Sequence, residues 1–268
     1  MADLAPFRGI RYAPEAGSPA DLLAPPYDVI GPEEHLELCR RSPHNIVRLD
    51  LGERTSPVGS LSPSWYEAAA AQLAAWQEQG ILQTDPEAAY YLYTQAFTHR
   101  GKVRRRKLLL GALRLEPYET GRVLPHENTL PGPKADRLRL MQATGANLSP
   151  ILCFFPDPDG QVNARLDVLD AAPAAVTLTD ARGIAHELRI LGERRTQDEL
   201  RALLAPVPMY IADGHHRYET SLAYQRQLRE GAPAVQELTP QDFLLAACMS
   251  SADPGLVIQP THRMVRWE

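Results

Sequence analysis

An apolar run that stops at an Asp-Gly pair constrains the fold of this chain most strongly. Residues 207–212 read VPMYIA, which is typical of a buried strand, and helical spacing begins directly after Asp213 and Gly214. The stretch from Val207 to Arg229 therefore predicts a strand, a tight turn and the start of a helix. The first turn of a helix has four backbone N–H groups without intrahelical partners, and the helix dipole adds about half a positive charge there.

The residues at this turn match a site for an anion. Gly214 has no side chain to hold a ligand away from the backbone, and three donor or cationic side chains follow it, His215, His216 and Arg217. Each residue also has a purely structural interpretation, with Asp213 as a helix cap and Arg217 as the partner of a carboxylate. Taken together at the end of an apolar strand, the five residues favour a phosphate-binding site.

A second unusual stretch covers residues 123–136. Its three prolines and one glycine predict irregular structure, yet it carries His126 and Glu127. A stiff proline-rich loop earlier in the chain holds Asp28. Four carboxylates have no assigned structural role, Asp28, Glu127, Asp136 and Asp213. They could hold Mg²⁺ or take a proton from an attacking hydroxyl.

A helix predicted from Pro133 to Thr144 has Lys134 and Arg137 in its first turn. Cations at a helix N-terminus oppose the dipole, so the two side chains indicate a second phosphate contact if an anion lies between them. A solvent-facing lysine and arginine, at a cost of a few tenths of a kcal/mol, is the alternative, and it stays open.

Hydrophobic spacing and turn residues predict an α/β (α+β) fold, a mixed sheet with flanking helices. The other predicted strands cover residues 7–11, 46–51, 89–98, 107–115, 151–155, 175–178, 184–191 and 256–258. The other predicted helices cover residues 32–41, 63–80, 163–170, 196–204 and 240–249, and the one after Gly214 ends near residue 230. We divide the chain into an N-terminal α/β segment, 1–87, and a phosphate-binding region, 88–268, which could also form one continuous domain.

Composition limits the partners. The formal net charge of −5 argues against a nucleic-acid interface, and no apolar run approaches the roughly 20 residues that span a bilayer. The N-terminus lacks the pattern of a signal peptide, so a cytoplasmic location is expected. Three widely spaced cysteines show no metal-binding spacing and are predicted to be buried free thiols, Cys39, Cys153 and Cys248.

Common catalytic motifs do not occur. The sequence has no Walker loop, dinucleotide fingerprint or nucleophile elbow, and His126-Glu127 lacks the second histidine of a zinc protease. A zinc site formed by His215 and His216 is disfavoured, because neighbouring helical residues point about 100° apart. Phosphoryl transfer or nucleotide hydrolysis remains.

Six strings across the chain resemble the uncharacterised bacterial family called domain of unknown function 1015. They are APPYDVI (24–30), NIVRLDLG (45–52), HENTLPGPKADRL (126–138), GANLSPI (145–151), ADGHHRYETS (212–221) and PTHR (260–263). The resemblance constrains the fold, but it does not indicate a particular activity. Members of the family are usually longer, so a truncation at the C-terminus of this chain stays open.

The five residues Asp213 to Arg217 also resemble the Gly-x-x-Arg signature of the ParB and sulfiredoxin superfamily, most closely in its free-serine kinases. That resemblance implies a ParB/sulfiredoxin-like core that binds nucleotide phosphates at the helix start. His215 stands where sulfiredoxins have their catalytic cysteine, so their thiol chemistry is excluded. The chromosome-partitioning members require a DNA-reading helical domain and a basic face, and neither is found here.

We therefore hypothesise a nucleotide-binding phosphotransferase or nucleotide hydrolase that acts on a small hydroxyl substrate with ATP or ADP and Mg²⁺. Phosphate binding is assigned to Gly214, His215, His216, Arg217, Lys134 and Arg137. Catalysis is assigned to Glu127, Asp213, His216 and Asp28, with Asp213 and Glu127 as the Mg²⁺ ligands. The alternative is a nucleotide- or anion-sensing module without turnover that acts through a protein partner, and the oligomeric state stays open. The hypothesis requires the two motifs to meet within about 10 Å, the scale of a small-ligand cleft.

Overall fold

The computed structural model describes residues 2–54, 64–129, 131–230 and 237–259, with the backbone alone for 131–133. The strands in these residues are β1 Leu4–Ala5, β2 Ile10–Tyr12, β3 Leu82–Thr84, β4 Tyr90–His99, β5 Lys102–Arg114, β6 Val123–Leu124, β7 Ile151–Phe155, β8 Val176–Thr179, β9 Ala185–Leu191, β10 Met209–Asp213 and β11 Phe243–Ser250. Nine of them form one mixed sheet in the order β6-β10-β7-β11-β5-β4-β9-β8, with β1 added to β5. Strands β2 and β3 form a small separate sheet.

Helices cover the large sheet and fill the N-terminal region. They are α1 Pro19–Leu22, α2 Pro32–Arg41, α3 Val47–Asp50, α4 Trp65–Glu78, α5 Pro131–Thr144, α6 Gln161–Asp170, α7 Arg194–Leu204 and α8 His215–Arg229. The mixed α/β class is thereby confirmed. No helix within the described ranges is long and apolar enough to cross a membrane.

The helix predicted for residues 240–249 is wrong, because residues 243–250 form the central strand β11. A 3-10 turn at Pro240–Asp242 carries a capping box between Thr239 and Asp242 and ends there. Strand β11 lies between β7 and β5, and most of its side chains are buried on both faces. A strand buried on both faces has no polar alternation, so its Ala- and Leu-rich sequence could not be distinguished from a helix.

The strand predicted for residues 46–51 is also wrong, because Val47–Asp50 form the short helix α3. The cause is the buried side chain of Asn45. Its Oδ1 accepts the backbone N–H of Val47 at 3.0 Å, and its Nδ2 donates to the carbonyls of Asp21 and Leu23. This amide fixes a helical turn that the alternation of apolar residues did not indicate.

Three smaller predictions also differ. The strand predicted at 256–258 is a loop with Ile258 exposed, and the strand predicted at 7–11 lies at Ile10–Tyr12, with Phe7 in an isolated bridge to Ala89. The stretch 123–136 contains strand β6, and α5 begins two residues before Pro133. Residues 260–263 lie outside the described residues.

Several local predictions are confirmed. The strands predicted at 89–98 and 107–115 form the hairpin β4-β5, and the helix predicted at 63–80 is α4. All three cysteines are buried and unpaired. The division at residues 87 and 88 stays a prediction.

Sheet topology determines which segments meet at the start of α8. Strand β10 is parallel to β6 on one side and antiparallel to β7 on the other. Parallel strands end at the same edge of a sheet, and an antiparallel neighbour begins there. The residues after β6, the residues after β10 and the segment before β7 therefore come together at one edge.

Gly111 tests how the N-terminus packs on the sheet. A Cβ at this position would lie 2.6 Å from Cγ of the buried Leu4. We expect Gly111→Ala to lower the free energy of unfolding by about 1–3 kcal/mol through overpacking. Leu4→Ala alone should cost about 2–5 kcal/mol. Urea denaturation should show that the double variant loses less than the sum of the two, whereas strict additivity would contradict this packing.

Candidate functional site

Gly214 connects β10 to α8 and could not be another residue without strain. Its φ is 91°, and a Cβ there would lie 2.7 Å from Cγ2 of Ile151 and 3.1 Å from the guanidinium of Arg217. Among the described residues, no side chain hydrogen-bonds at the N-cap of the helix. The first turn therefore keeps N–H groups without a side-chain cap there, and their use by an anion stays a prediction.

His215 is buried and links the two motifs that the sequence singles out. Its Nε2 accepts the backbone N–H of His126 at 3.2 Å, and its Nδ1 lies 3.2 Å from Oε1 of Glu127. Because Nε2 accepts a hydrogen bond, the neutral ring carries its proton on Nδ1. Burial, reinforced by the nearby His126, lowers the pKa of His215. At neutral pH the side chain is therefore an uncharged donor and adds no positive charge.

The loop that carries His126 and Glu127 lies directly against the start of α8. Nδ1 of His126 donates to the carbonyl of Ile211 at 2.6 Å, and the rings of His126 and His215 meet edge to face at 4.6 Å. The side chain of Glu127 is 59% exposed. The two motifs, 85 residues or more apart in sequence, are in contact here, two residues before Arg217.

Three of these side chains are close enough to hold one metal ion. One ligand atom from each of His126, Glu127 and His215 lies within 4.8 Å of the other two. The hydrogen bond to Ile211 leaves Nε2 of His126 as its ligand atom, and Glu127 offers an exposed carboxylate. His215 would first have to lose the bond from the His126 backbone, because its Nδ1 carries the proton. Mg²⁺ prefers oxygen ligands and would therefore be held by Glu127. The histidine that lies beside His215 in this cluster is His126 of the loop, and not His216.

Arg217 stabilises the turn between β10 and α8. Its guanidinium donates to Oδ2 of Asp213 at 2.6 Å and to the carbonyl of Pro150, and the side chain is 12% exposed. Asp213 is half exposed. The charge of Arg217 is thus balanced by the carboxylate that precedes the helix.

Lys134 and Arg137 approach the site from α5, and each is paired with carboxylates. Nζ of Lys134 lies 2.6 Å from Glu219 of α8. The buried guanidinium of Arg137 lies 2.8 Å from Asp50 and 2.6 Å from Asp136. Both cations therefore connect elements around the site, and their role as phosphate ligands stays a prediction.

The remaining predicted site residues lie at the periphery. Asp28 is exposed next to Tyr27, whose ring lies 4.2 Å from the guanidinium of Arg137. His216 is half buried. The direct contacts thus bring together His126, Glu127 and His215. Arg217 lies on the same helix start and contacts Asp213 and Pro150 instead. Among the described residues, Asp28 approaches the site through its neighbour Tyr27, which stacks on Arg137.

Sequence reasoning missed three residues of the site. Glu219 lies one helical turn after His215, so its position on the same face of α8 was a usable signal. Thr129 bonds Glu219 at 2.6 Å, but its loop position gives no periodic signal. Asp50 was hidden by the incorrect strand prediction.

Comparison with known proteins gives a family and no activity. A family model described as "Protein of unknown function (DUF1015)" matches residues 4–267. Neither the curated proteins nor the solved structures contain a significant match.

The depressed pKa of His215 predicts how stability depends on pH. Just below pH 6.5, the ordinary pKa of histidine, His215 binds a proton in the unfolded chain but stays neutral in the folded chain. The free energy of unfolding therefore falls as the pH drops through that value. Between pH 7.5 and 5.5, we expect the melting temperature of His215→Gln to fall less steeply than that of the wild type. The free energy behind this difference is about 1.4 kcal/mol for each unit by which the pKa is lowered. His99→Gln at the hairpin tip is the control, and an unchanged slope in His215→Gln would contradict the assignment.

Proposed function

The chain belongs to the DUF1015 family, for which no activity is given, and we propose from its site that it binds a nucleotide such as ATP or ADP with Mg²⁺ at the start of α8. The bound phosphate is transferred to a small hydroxyl substrate or to water. The chain would thus be a phosphotransferase or a nucleotide hydrolase.

One observation carries this proposal. The exposed carboxylate of Glu127 lies 3.2 Å from the buried Nδ1 of His215, at the start of a helix whose N-cap has no side-chain hydrogen bond within the described part of the chain. Backbone N–H groups are donors for phosphate oxygens, and Glu127 is a base next to them. This combination suits phosphoryl transfer, in which positioning and charge stabilisation provide most of the catalysis.

The residues have separate roles in the proposal. Gly214 and the N–H groups of His215, His216 and Arg217 hold the phosphates. Glu127 and Asp213 hold Mg²⁺, which would offset the charge of the phosphates, and Glu127 or the more distant Asp28 receives the proton of the attacking hydroxyl. Lys134 and Arg137, each paired with carboxylates in the absence of ligand, would hold a second anionic group at the edge of the site.

A ParB/sulfiredoxin-like core, as in the free-serine kinases, belongs to the proposal as its finer form. It is supported by the sequence of β10, the left-handed Gly214 and the α8 start, with Asp-Gly-His-His-Arg at residues 213–217. A buried histidine in place of a cysteine is consistent with phosphate binding without thiol chemistry.

A second candidate is a sensing module that binds the nucleotide or another anion without turnover. The observation in its favour is the pairing of Arg217, Lys134 and Arg137 with carboxylates. Charges that are balanced within the protein bind phosphate less strongly, and an anion that displaces Asp213 from Arg217 would change the surface that a protein partner meets.

Nucleotide binding is tested by isothermal titration with ATP and ADP, with and without Mg²⁺. We expect saturable binding by the wild type and an affinity about tenfold lower in Arg217→Lys, which keeps the charge and loses the fork of donors. Arg194→Lys is the control, because Arg194 is 92% exposed on α7. If neither nucleotide binds, both the enzyme and the nucleotide sensor are excluded.

Turnover separates the enzyme from the sensor. We expect Glu127→Gln to retain nucleotide binding and to lose about 100-fold or more of phosphate release or transfer, since a positioned base contributes that much. Glu37→Gln is the matched control on an exposed helix, with Glu37 71% exposed. Equal turnover in Glu127→Gln and wild type would remove Glu127 from the mechanism, and binding without turnover in the wild type would favour the sensor.

A further inference from the structure

A cavity of about 470 Å³ lies between α5, α8 and the turn at Tyr118. Its size is within the range of small-molecule sites. Lys134 and Glu219 line it, and the same Glu219 bonds Thr129, two residues after Glu127. The wall of the cavity is therefore continuous with the loop that carries the proposed base.

Two buried hydroxyl groups of this wall lack partners. Thr220 is 1% exposed, and its Oγ1 has no hydrogen bond to any residue that the structure describes. The same holds for the hydroxyl of Tyr118 within the described ranges. Most buried polar groups in native proteins are bonded, and an orphaned one costs about 1–3 kcal/mol. Two such groups on one cavity indicate that a ligand satisfies them.

Contacts with its neighbours fix the position of Tyr118. Its ring stacks on Tyr218 at 5.4 Å, and the hydroxyl of Tyr218 donates to the backbone of Glu116 at 2.8 Å. Burial raises the pKa of Tyr118, so the phenol stays protonated and can donate. A helical threonine usually bonds a carbonyl one turn earlier, and Thr220 does not.

The wall carries two carboxylates, Glu119 and Glu219, and two cations, Lys134 and Arg226. The inference of an anionic ligand therefore depends on Arg226. Lys134 is neutralised by Glu219. Arg226 also lines the cavity, about two turns after Glu219 on α8, and it has no ion pair with any described residue. An arginine without an ion pair, on the same cavity wall as two hydroxyls without partners among the described residues, suits a carboxylate or phosphate on a hydroxylated molecule.

We propose that this cavity binds a small polyhydroxylated anion, which is the phosphoryl acceptor of the site at the start of α8. Only the acceptor role rests on the proposed function. In the transfer, a hydroxyl oxygen of the anion forms a bond to the γ-phosphorus of ATP, and the bond from that phosphorus to the bridging oxygen of ADP breaks. The proton of the hydroxyl passes to the carboxylate of Glu127.

The test combines stability and binding on the same variants. Thr220→Val and Tyr118→Phe remove the orphaned hydroxyls and conserve shape, so without ligand we expect an unchanged or higher melting temperature. A lower melting temperature in both would show that the hydroxyls are satisfied within the protein, and it would overturn the inference.

Binding is measured by titration with D-glycerate and with glycerol 3-phosphate, and glycerol is the uncharged control. We expect saturable binding of at least one anion and none of glycerol at the same concentrations. Thr220→Val and Arg226→Gln should each weaken binding about tenfold, an effect of about 1.4 kcal/mol, while Arg194→Gln should not. The two anions distinguish a carboxylate from a phosphate ligand. If neither anion binds, the inference about the cavity is wrong, even if ATP binds. If one anion binds and ATP does not, the cavity is an anion site and the proposed nucleotide function is wrong.

Discussion

The pairing of β10 with a parallel strand on one side and an antiparallel strand on the other determines what meets at the start of α8. The parallel neighbour β6 brings the loop with His126 and Glu127 to that edge, and the antiparallel neighbour β7 brings Pro150. A different strand order would leave the same sequence motifs on separate edges. Each contact of the candidate site, from the backbone of His126 to the guanidinium of Arg217, depends on this placement.

The electrostatics of the site differ from what its composition suggests. Arg217, Lys134 and Arg137 are all paired with carboxylates, and burial keeps His215 neutral. Burial opposes the ionisation of Glu219, yet hydrogen bonds from Lys134 and Thr129 hold the pKa of Glu219 below its ordinary value. The donors that remain for an anion are therefore mainly uncharged N–H groups in fixed positions. Fixed donors discriminate by geometry, so such a site would select the shape of a phosphate more than its total charge.

Local signals predicted part of this site, and long-range packing decided the rest. The strand, glycine turn and helix at residues 209–229 follow from an apolar run and one glycine, and they were predicted from sequence. Asp50 reaches Arg137 across 87 residues and depends on a turn fixed by Asn45, which no periodicity reveals. The tautomer of His215 and the orphaned hydroxyl of Thr220 depend on what surrounds each atom, and a sequence contains no such information.

His126 also protects the edge of the sheet. Strand β6 pairs with Met209 and Tyr210, and at Ile211 the carbonyl bonds instead to Nδ1 of the His126 ring. The imidazole thus continues the hydrogen bonding of a two-residue edge strand. Exposed strand edges recruit other chains, so loss of this ring would promote self-association in addition to any effect on chemistry.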